Sequence, residues 1–321
     1  MASKPKVVVT RKLPEAVEAR LRRDYEPVFN PDDHVYSTDE LIALADGADA
    51  LLPCHSEHLD AGAIARLPAS VKAIANFSVG VDHVDLDAAK ARGIIVTNTP
   101  DVLSDATAEI ALLLMLGAAR RAAEGDRLVR TGEWRLWSPA FMVGRQITGK
   151  VLGIVGMGRV GQVTARRARG FDMQVHYHNR RRLPAEAEQG AEFHERLDSL
   201  LGACDVLSLH CPATAESHHL INAETIARLR PGLILVNTAR GALVDDEALL
   251  EALRAGHVAA AGLDVFNGEP AIHPGYRELD NTFLLPHIGS ATRETRDAMG
   301  FRALDNLDAV FAAREPGDRV A

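Results

Sequence analysis

The fold is decided by the stretch Val151-Leu152-Gly153-Ile154-Val155-Gly156-Met157-Gly158-Arg159-Val160-Gly161. An apolar, β-branched run leads directly into the pattern G-x-G-x-x-G, and a segment of helical periodicity follows. In such a loop the first glycine allows a tight turn, the second lets the backbone approach a pyrophosphate, and the third lets helix and strand pack closely. The amides and dipole of the helix N-terminus then face the phosphates. The stretch therefore predicts dinucleotide binding by Gly156, Met157, Gly158, Arg159, Val160 and Gly161.

Similar strand-like runs recur on both sides of this stretch, separated by segments of helical periodicity. Together with Val151–Val155, the downstream runs make six strands, which match a complete dinucleotide-binding sheet: Met173–Tyr177, Asp205–Leu209, Leu233–Asn237, Gly262–Val265 and Phe283–Leu285. The upstream runs are Lys6–Val9, Ala50–Leu52, Val71–Ala75 and Ile94–Thr97, and the helical stretches between them are Leu13–Asp24, Thr38–Ala45 and Asp60–Leu67. This alternation predicts an α/β protein with two doubly wound parallel-sheet domains, a Rossmann cofactor domain and a flavodoxin-like substrate domain.

Two further helices bear on the domain organisation. Ser104 to Thr131 predicts one long helix whose first half is apolar nearly all round, so we expect it to be buried between domains or between subunits. A last helix, from about Arg293 to Ala313, is expected to return to the first domain. We therefore predict a discontinuous substrate-binding domain, residues 1–99 and 288–321, with the dinucleotide-binding domain, residues 100–287, inserted into it.

Composition restricts the class of protein. The net charge of −8 argues against non-specific binding of nucleic acid or of anionic membranes. Three widely spaced cysteines fit reduced thiols, and no CxxC or Cys/His cluster indicates a metal site, so we expect none. No long apolar segment follows the basic N-terminus, and the longest apolar stretch, Ile110 to Ala119, is too short to span a bilayer. These features predict a cytoplasmic protein with neither a membrane nor a nucleic-acid partner.

The end of the second strand of a dinucleotide-binding sheet selects the cofactor, about 20 residues beyond the glycine loop. An acidic residue there would accept a hydrogen bond from the ribose 2′-hydroxyl of NAD, but this strand continues into Asn179, Arg180 and Arg181. Arginines can pair with a 2′-phosphate. We therefore predict NADP(H) as the preferred cofactor, with NAD(H) still possible; the alternative is a solvated basic turn.

Three polar side chains come directly after predicted strands: Arg240, Glu269 and His287. Ligands of open α/β sheets bind beyond the carboxyl ends of the strands, so all three could face one crevice. Taken singly, each is more often a structural or solvated residue, the more so since the chain has 13 histidines. Taken together at successive strand ends, they favour catalysis. We expect His55, His83 and His210 to have no catalytic role.

Several further stretches, in the right order along nearly the whole chain, resemble the D-isomer-specific 2-hydroxyacid dehydrogenases. Within that family, the arginine run and Trp137 make the chain most similar to the glyoxylate/hydroxypyruvate reductases. The matching stretches are Asn76-Phe77-Ser78-Val79-Gly80-Val81-Asp82, the glycine loop, Val236-Asn237-Thr238-Ala239-Arg240-Gly241, Gly262-Leu263-Asp264-Val265-Phe266 and Pro286-His287-Ile288-Gly289-Ser290.

The resemblance implies the reduction of a small 2-oxo acid, such as glyoxylate or hydroxypyruvate, by hydride transfer. His287 would be the general acid, Glu269 would orient it, and Arg240 would hold the substrate carboxylate. The resemblance also implies that the backbone amides of Val79 and Gly80 bind that carboxylate. His287 and Arg240 would thus contact both substrate and cofactor, and the other cofactor contacts implied are Thr107, Cys211, Pro212, Thr238, Ala239, Asp264 and Gly289.

The resemblance further implies a homodimer formed through the helix near 104–131. Trp137 would then reach the substrate pocket of the neighbouring subunit, or simply anchor the dimer interface. Alternatives remain open for the activity. Within the family these are D-lactate dehydrogenase or 2-ketogluconate reductase, and outside the enzyme class a dinucleotide-sensing interaction protein similar to the co-repressors that resemble this family.

Overall fold

The computed structural model describes residues 3–321, so the first two residues of the predicted substrate-binding domain lie outside it. The chain divides into two compact units. One unit runs to Leu103 and resumes over Ala291–Ala321, and the other is Ser104–Ser290. These bounds differ by three or four residues from the predicted ones at 99/100 and 287/288.

The first unit contains a five-stranded sheet. Its strands are β1 (Lys6–Val9), β2 (Glu26–Val28), β3 (Ala50–Leu52), β4 (Ala73–Ala75) and β5 (Ile95–Thr97). They are parallel and lie in the order β2-β1-β3-β4-β5, which is the flavodoxin-like order. The first helices of this unit are α1 (Glu15–Asp24), α2 (Thr38–Leu44), α3 (Ala61–Arg66) and α4 (Leu86–Ala91).

Both faces of this sheet are buried, which explains why its strands are continuous apolar runs. Successive side chains of β1 point to opposite faces. Val7 and Val9 belong to one core cluster, and Val8 belongs to another.

The second unit contains a seven-stranded parallel sheet. Its strands are β6 (Val151–Val155), β7 (Gln174–His178), β8 (Glu192–Phe193), β9 (Val206–Leu209), β10 (Leu233–Asn237), β11 (Val258–Leu263) and β12 (Thr282–Leu284). They lie in the order β12-β11-β10-β9-β6-β7-β8, the Rossmann order with one additional strand. The two doubly wound parallel sheets predicted from the sequence are therefore confirmed.

The helices of the second unit cover this sheet. They are α5 (Ser104–Ala119), α6 (Ala122–Arg130), α7 (Arg159–Ala168), α8 (Ala185–Glu188), α9 (Leu197–Leu201), α10 (Ala223–Ile226) and α11 (Asp246–Arg254). The chain then enters α12 (Arg293–Phe311), which packs in the first unit against β4, β5 and α1. Arg20 of α1 forms ion pairs of 2.7 and 2.6 Å with Asp305 and Asp308 of α12.

The prediction of one long helix over 104–131 was wrong. The chain forms α5 and α6, separated at Arg121, whose backbone is left-handed with φ 56°. Two contacts explain the break. The guanidinium of Arg121 forms two hydrogen bonds of 2.8 Å with Glu124. The carbonyl of Ala119, at the end of α5, accepts a hydrogen bond from the Arg145 amide at 2.7 Å. The helix α5 packs on β10, β11 and α7 of its own unit.

The strand predictions also need correction. The short strands β2 and β8 were missed, because two or three residues carry no readable period. The fifth strand of the predicted set begins at Val258 and ends at Leu263, earlier than the predicted Gly262–Val265. After Val258 the strand continues with three alanines, which do not favour strands and so did not mark it.

No helix within residues 3–321 combines the length and the apolar character that crossing a bilayer would require.

Candidate active site

The predicted site residues of the second unit converge because its strands are parallel. Loops after β6, β7, β9, β10, β11 and β12 all leave the same edge of the sheet. From β6 the chain adds β7 and β8 on one side and then crosses to add β9 on the other side of β6. A crevice forms at such a switch point between neighbouring strands. The loops that leave this edge carry the glycine loop, the segment 179–181, Cys211, Pro212, Thr238, Ala239, Arg240, Asp264, Glu269, His287 and Gly289.

The three positions of the loop after β6 are glycine for different structural reasons. Gly156 has φ +94°, and a Cβ built there would lie 2.5 Å from the Cys211 amide nitrogen. A Cβ at Gly161 would lie 2.5 Å from the Gly156 carbonyl oxygen. At Gly158, by contrast, a Cβ would meet nothing within 4 Å. The packing of the protein therefore requires Gly156 and Gly161, whereas Gly158 only keeps the space beside the backbone open.

This arrangement fits a dinucleotide pyrophosphate. Gly158 is the N-cap residue of α7, so the open space lies at the amino end of that helix. The first-turn amides of a helix have no acceptor inside the helix, and the helix dipole favours an anion there. The Met157 amide is not available to a ligand, since it donates to Asn179 Oδ1 at 2.7 Å. The predicted selector residue Asn179 thus braces the glycine loop.

Arg180 and Arg181, which follow Asn179, are both exposed. Within residues 3–321 neither forms an ion pair with a carboxylate. The third arginine of the run behaves differently: Arg182 binds Glu188 with hydrogen bonds of 2.7 and 3.0 Å. The exposed pair therefore offers its guanidinium groups to a ligand, whereas Arg182 is part of the fold.

Arg240 is positioned by the end of β10. The side chain of Asn237, which is 1% exposed, accepts a hydrogen bond from the Ala239 amide and donates one to the Arg240 carbonyl, at 3.0 and 2.8 Å. The next residue, Gly241, lies so close to the following loop that a Cβ there would be 2.0 Å from the Phe266 carbonyl carbon. The loop that carries Arg240 is thereby fixed against the loop that carries Glu269.

His287 and Glu269 form the closest polar pair of the site. His287 Nδ1 lies 2.6 Å from Glu269 Oε2, and Glu269 Oε1 accepts a hydrogen bond from the Phe266 amide at 2.7 Å. The carboxylate is therefore held on both oxygens, one by the backbone and one by the imidazole. With Nδ1 in contact with Glu269, a proton transfer from His287 to a substrate would use the other ring nitrogen, Nε2.

Asp264, which is 1% exposed, organises the loop that bears His287. Its carbonyl accepts from the His287 amide at 2.9 Å, and its two carboxylate oxygens accept from the amides of Ile288 and Gly289, each at 2.7 Å. Burial raises the pKa of Asp264, and the two amides and the nearby His287 oppose that rise. Thr107 of α5 lies beside this loop, since a Cβ at Gly289 would be 3.4 Å from its methyl carbon.

Val79 and Gly80 belong to the first unit, on the loop after β4. The Ser78 hydroxyl donates to the Gly80 carbonyl at 2.6 Å, and the Asn98 side chain donates to the Val79 carbonyl at 2.8 Å. These bonds hold both carbonyls. Within residues 3–321 the amides of Val79 and Gly80 donate to no protein acceptor. The loop is thus suited to bind an anion through its backbone.

Other titratable side chains have structural environments. Burial lowers the pKa of His210 to about 4, and its Nε2 lies 2.8 Å from the Ser208 hydroxyl. His83 is buried, with Nε2 3.0 Å from Asn76 Oδ1, and His55 is exposed. Burial raises the pKa of Cys211 to about 11, so this thiol beside the glycine loop is not a nucleophile at neutral pH.

Trp137 lies outside the strand-end loops, on the irregular segment between α6 and β6, and is 73% exposed. Sequence reasoning assigned no role to Asn237, Ser78 or Asn98, although these side chains hold the loops of the site. Asn237 and Ser78 lie inside the stretches that resemble the family. A polar residue at the end of an apolar strand could have indicated that its side chain bonds to a nearby loop.

Comparison with known proteins gives the family. The model of the D-isomer-specific 2-hydroxyacid dehydrogenase NAD-binding domain matches residues 112–289. The chain is 47% identical over 315 residues to the glycerate dehydrogenase of Hyphomicrobium methylovorum, covering 98% of each protein. It is 45% identical over 309 residues to the glyoxylate reductase of Thermococcus onnurineus, covering 95% of this chain and 92% of that one.

A solved structure agrees with these relatives. It is the NADPH-dependent glyoxylate/hydroxypyruvate reductase of Sinorhizobium meliloti in complex with NADP and malonate. It matches with a TM-score of 0.88 at 33% identity, covering 99% of this chain and 97% of that chain. The relatives thus share the two-sheet fold and extend over the whole length of the strand-end loops described above. The chain belongs to the D-isomer-specific 2-hydroxyacid dehydrogenases and is an NAD(P)-dependent oxidoreductase of 2-hydroxy acids.

Proposed function

We propose that this enzyme reduces a small 2-oxo acid, glyoxylate or hydroxypyruvate, to the D-2-hydroxy acid, with NADPH preferred over NADH. The observation that carries the proposal is the 2.6 Å contact between His287 Nδ1 and Glu269 Oε2 at the carboxyl edge of a Rossmann sheet. Relatives named glyoxylate reductase and glyoxylate/hydroxypyruvate reductase support the substrate class.

His287 is the proposed general acid. When bound, the reduced nicotinamide supplies a hydride to the substrate carbonyl carbon. The carbonyl oxygen then needs a proton, and an imidazolium near neutral pH is a suitable donor. Glu269 fixes the ring orientation through its contact with Nδ1. The proton passes from His287 Nε2 to the oxygen, and solvent returns it after product release.

Arg240 is the proposed ligand of the substrate carboxylate. A guanidinium binds a carboxylate through two parallel hydrogen bonds and also polarises an adjacent carbonyl. The bonds from Asn237 and the close contact of Gly241 hold its loop before any substrate arrives. The amides of Val79 and Gly80 are proposed as further carboxylate ligands.

The cofactor preference rests on Arg180 and Arg181. A 2′-phosphate at the end of β7 would find two exposed guanidinium groups and no acidic residue between Val175 and Arg182. The pyrophosphate would bind at Gly158 and the amino end of α7, with Thr107, Cys211, Pro212, Thr238, Ala239, Asp264, His287 and Gly289 as the remaining proposed cofactor contacts.

We also propose that the enzyme is a homodimer. Over residues 129–143 six large apolar side chains are exposed, and exposed apolar surface of this kind can mark a protein–protein contact. They are Val129, Trp134, Leu136, Trp137, Phe141 and Val143. A second copy of this chain that covers them would remove this apolar surface from water.

Initial rates of NADPH and NADH oxidation test the activity, with glyoxylate, hydroxypyruvate, pyruvate and 2-ketogluconate as substrates. We expect fast NADPH-dependent reduction of glyoxylate or hydroxypyruvate. If 2-ketogluconate or pyruvate were reduced most efficiently, the substrate proposal would be wrong while the reaction class stood. Tight cofactor binding without turnover of any of the four would support the sensor alternative.

The double variant Arg180→Ala/Arg181→Ala tests the cofactor preference. Loss of the charge-assisted bonds to the 2′-phosphate should raise KM for NADPH at least about tenfold and leave KM for NADH nearly unchanged. Arg254→Ala, which removes an exposed positive charge elsewhere in the second unit, is the matched control. An unchanged ratio of the two KM values in the double variant would refute the role of these arginines.

A further inference from the structure

A cluster of metal-binding side chains lies at the edge of the seven-stranded sheet, outside the residues assigned to hydride transfer. His176 is on β7, Glu192 is on β8, and His194 follows directly after β8. The parallel register pairs His176 with Glu192. Two imidazoles and a carboxylate on neighbouring strands thus come together only through strand pairing, since positions 176, 192 and 194 follow no metal-binding spacing in the sequence.

The separations within this cluster suit one cation. His176 Nδ1 lies 3.0 Å from His194 Nε2, and Glu192 lies 3.5 Å from His176 Nε2 and 3.8 Å from His194 Nε2. One ligand atom from each residue can be chosen so that all lie within 4.8 Å of one another. Around a tetrahedral Zn²⁺ with bonds of about 2.0–2.1 Å, ligand atoms lie about 3.3 Å apart. Since His176 offers only one of its two ring nitrogens to an ion, rotation of the side chains has to bring the three chosen atoms from within 4.8 Å to about this separation.

The surroundings of His194 prepare it as a ligand. Its Nδ1 lies 2.9 Å from the Ser199 hydroxyl, and that hydroxyl donates to the Arg196 carbonyl at 2.8 Å. Because the hydroxyl proton is committed to the carbonyl, Ser199 accepts a hydrogen bond from His194 Nδ1–H. The lone pair of this imidazole is then on Nε2, which faces His176 and Glu192. A hydrogen bond to the outer nitrogen of this kind is the usual companion of a metal-bound histidine.

Burial and charge also suit a cation. The side chains of His176 and His194 are 14% and 10% exposed, whereas Glu192 is 65% exposed. The exposed carboxylate gives an ion access from solvent and leaves room for a water ligand.

We propose that His176, Glu192 and His194 bind a divalent cation of the zinc class, with a fourth position open to water. Two imidazole nitrogens and one carboxylate oxygen are borderline ligands that select Zn²⁺ or Co²⁺ over Mg²⁺ or Ca²⁺. The ion ties β8, an edge strand of only two residues, to β7. This site departs from the expectation, drawn from the sequence, that the protein binds no metal.

Titration of the tag-free, full-length protein with Co²⁺ and then with Zn²⁺ tests the site. We expect one equivalent of Co²⁺ with the visible absorption of a four-coordinate ion, displacement of Co²⁺ by Zn²⁺, and a higher Tm in the presence of Zn²⁺. His176→Gln, Glu192→Gln and His194→Gln should each abolish the spectrum. Ser199→Ala should weaken Zn²⁺ binding about tenfold or more, because it removes the bond that orients His194.

The double variant His218→Gln/His219→Gln is the matched control, because it removes another pair of adjacent histidines whose rings stack at 3.9 Å. It should keep both the spectrum and the gain in Tm. Circular dichroism without metal shows whether each variant is folded. The proposal is overturned if the native protein binds no stoichiometric Co²⁺, or if folded variants of His176, Glu192 and His194 bind it as the native protein does.

Discussion

His287 has a left-handed backbone, with φ 53°, although it is not glycine. Such a conformation costs about 1–3 kcal/mol and persists only where the surroundings fix it. Asp264 supplies that constraint through its bonds to the amides of His287, Ile288 and Gly289. The strain thus marks the residue that we propose as the general acid, and it assigns Asp264 the task of positioning the loop.

Replacement of His287 by glutamine tests this assignment. We expect kcat to fall by about 10²–10⁴, because the proton donor to the carbonyl oxygen is lost. NADPH binding, followed by fluorescence titration, should change little. His218→Gln, an exposed histidine outside the proposed machinery, serves as control. A His287→Gln enzyme with near-native kcat would rule out His287 as the acid.

We predict that the protein loses stability in acid because of the buried side chain of His210. Burial lowers its pKa from 6.5 to about 4, so the native state takes up its proton at lower pH than the unfolded chain does. The stabilisation is fully present above pH 6.5 and is lost as the pH falls through about 4. It amounts to at most about 3 kcal/mol.

Urea unfolding of the native protein and of His210→Gln at about pH 7 and about pH 5 measures this effect. The free energy of unfolding should decrease less on acidification in the variant than in the native protein. The comparison uses only the change in the free energy of unfolding between the two pH values. The loss of the hydrogen bond to Ser208 lowers that free energy at both pH values, so it cancels. Equal decreases in both proteins would contradict the prediction.

At the scale of elements, the turn from β6 to α7 contains one glycine that the packing of the fold requires and one that it does not require. A methyl group at Gly161 would lie 2.5 Å from the Gly156 carbonyl oxygen, whereas one at Gly158 would touch nothing within 4 Å. Gly158 therefore has no packing reason of its own to be glycine, and a bound pyrophosphate supplies one.

The variants Gly158→Ala and Gly161→Ala should therefore behave differently. Gly161→Ala should lower the free energy of unfolding by about 1–3 kcal/mol, because helix and loop must move apart. Gly158→Ala should keep the native stability, yet weaken binding of both NADPH and NADH. Thermal unfolding and cofactor titration of each variant make the comparison. A stable Gly158→Ala protein with undiminished cofactor affinity would exclude the proposed pyrophosphate contact.

At the scale of the whole molecule, the exposed segment 129–143 leads to a prediction about assembly. Replacement of Leu136 by aspartate should shift the protein from dimer to monomer, because a charge in an apolar interface is costly to bury. Sedimentation velocity at several concentrations measures the change, and Val35→Asp, at another exposed apolar residue, is the control. A native protein that sediments as a monomer would refute the dimer.

The sequence alone determined the two parallel sheets, the dinucleotide loop and the strand-end positions of Arg240, Glu269 and His287. These features are local, because a strand, a glycine turn or a residue after a strand is encoded within a few neighbouring positions. Among the helices, the largest error was the prediction of one helix over 104–131, because neither glycine nor proline stands at the break at Arg121.

Tertiary structure decided the rest, because the deciding contacts join residues far apart in the chain. The break after α5 depends on the Arg145 amide, which binds the carbonyl of Ala119. The hydrogen bonds from Asp264 to the loop of His287 join residues on either side of β12. The cluster of His176, Glu192 and His194 exists only because β8 pairs with β7. Periodicity reports which face of an element is apolar, but only packing shows which distant polar groups meet.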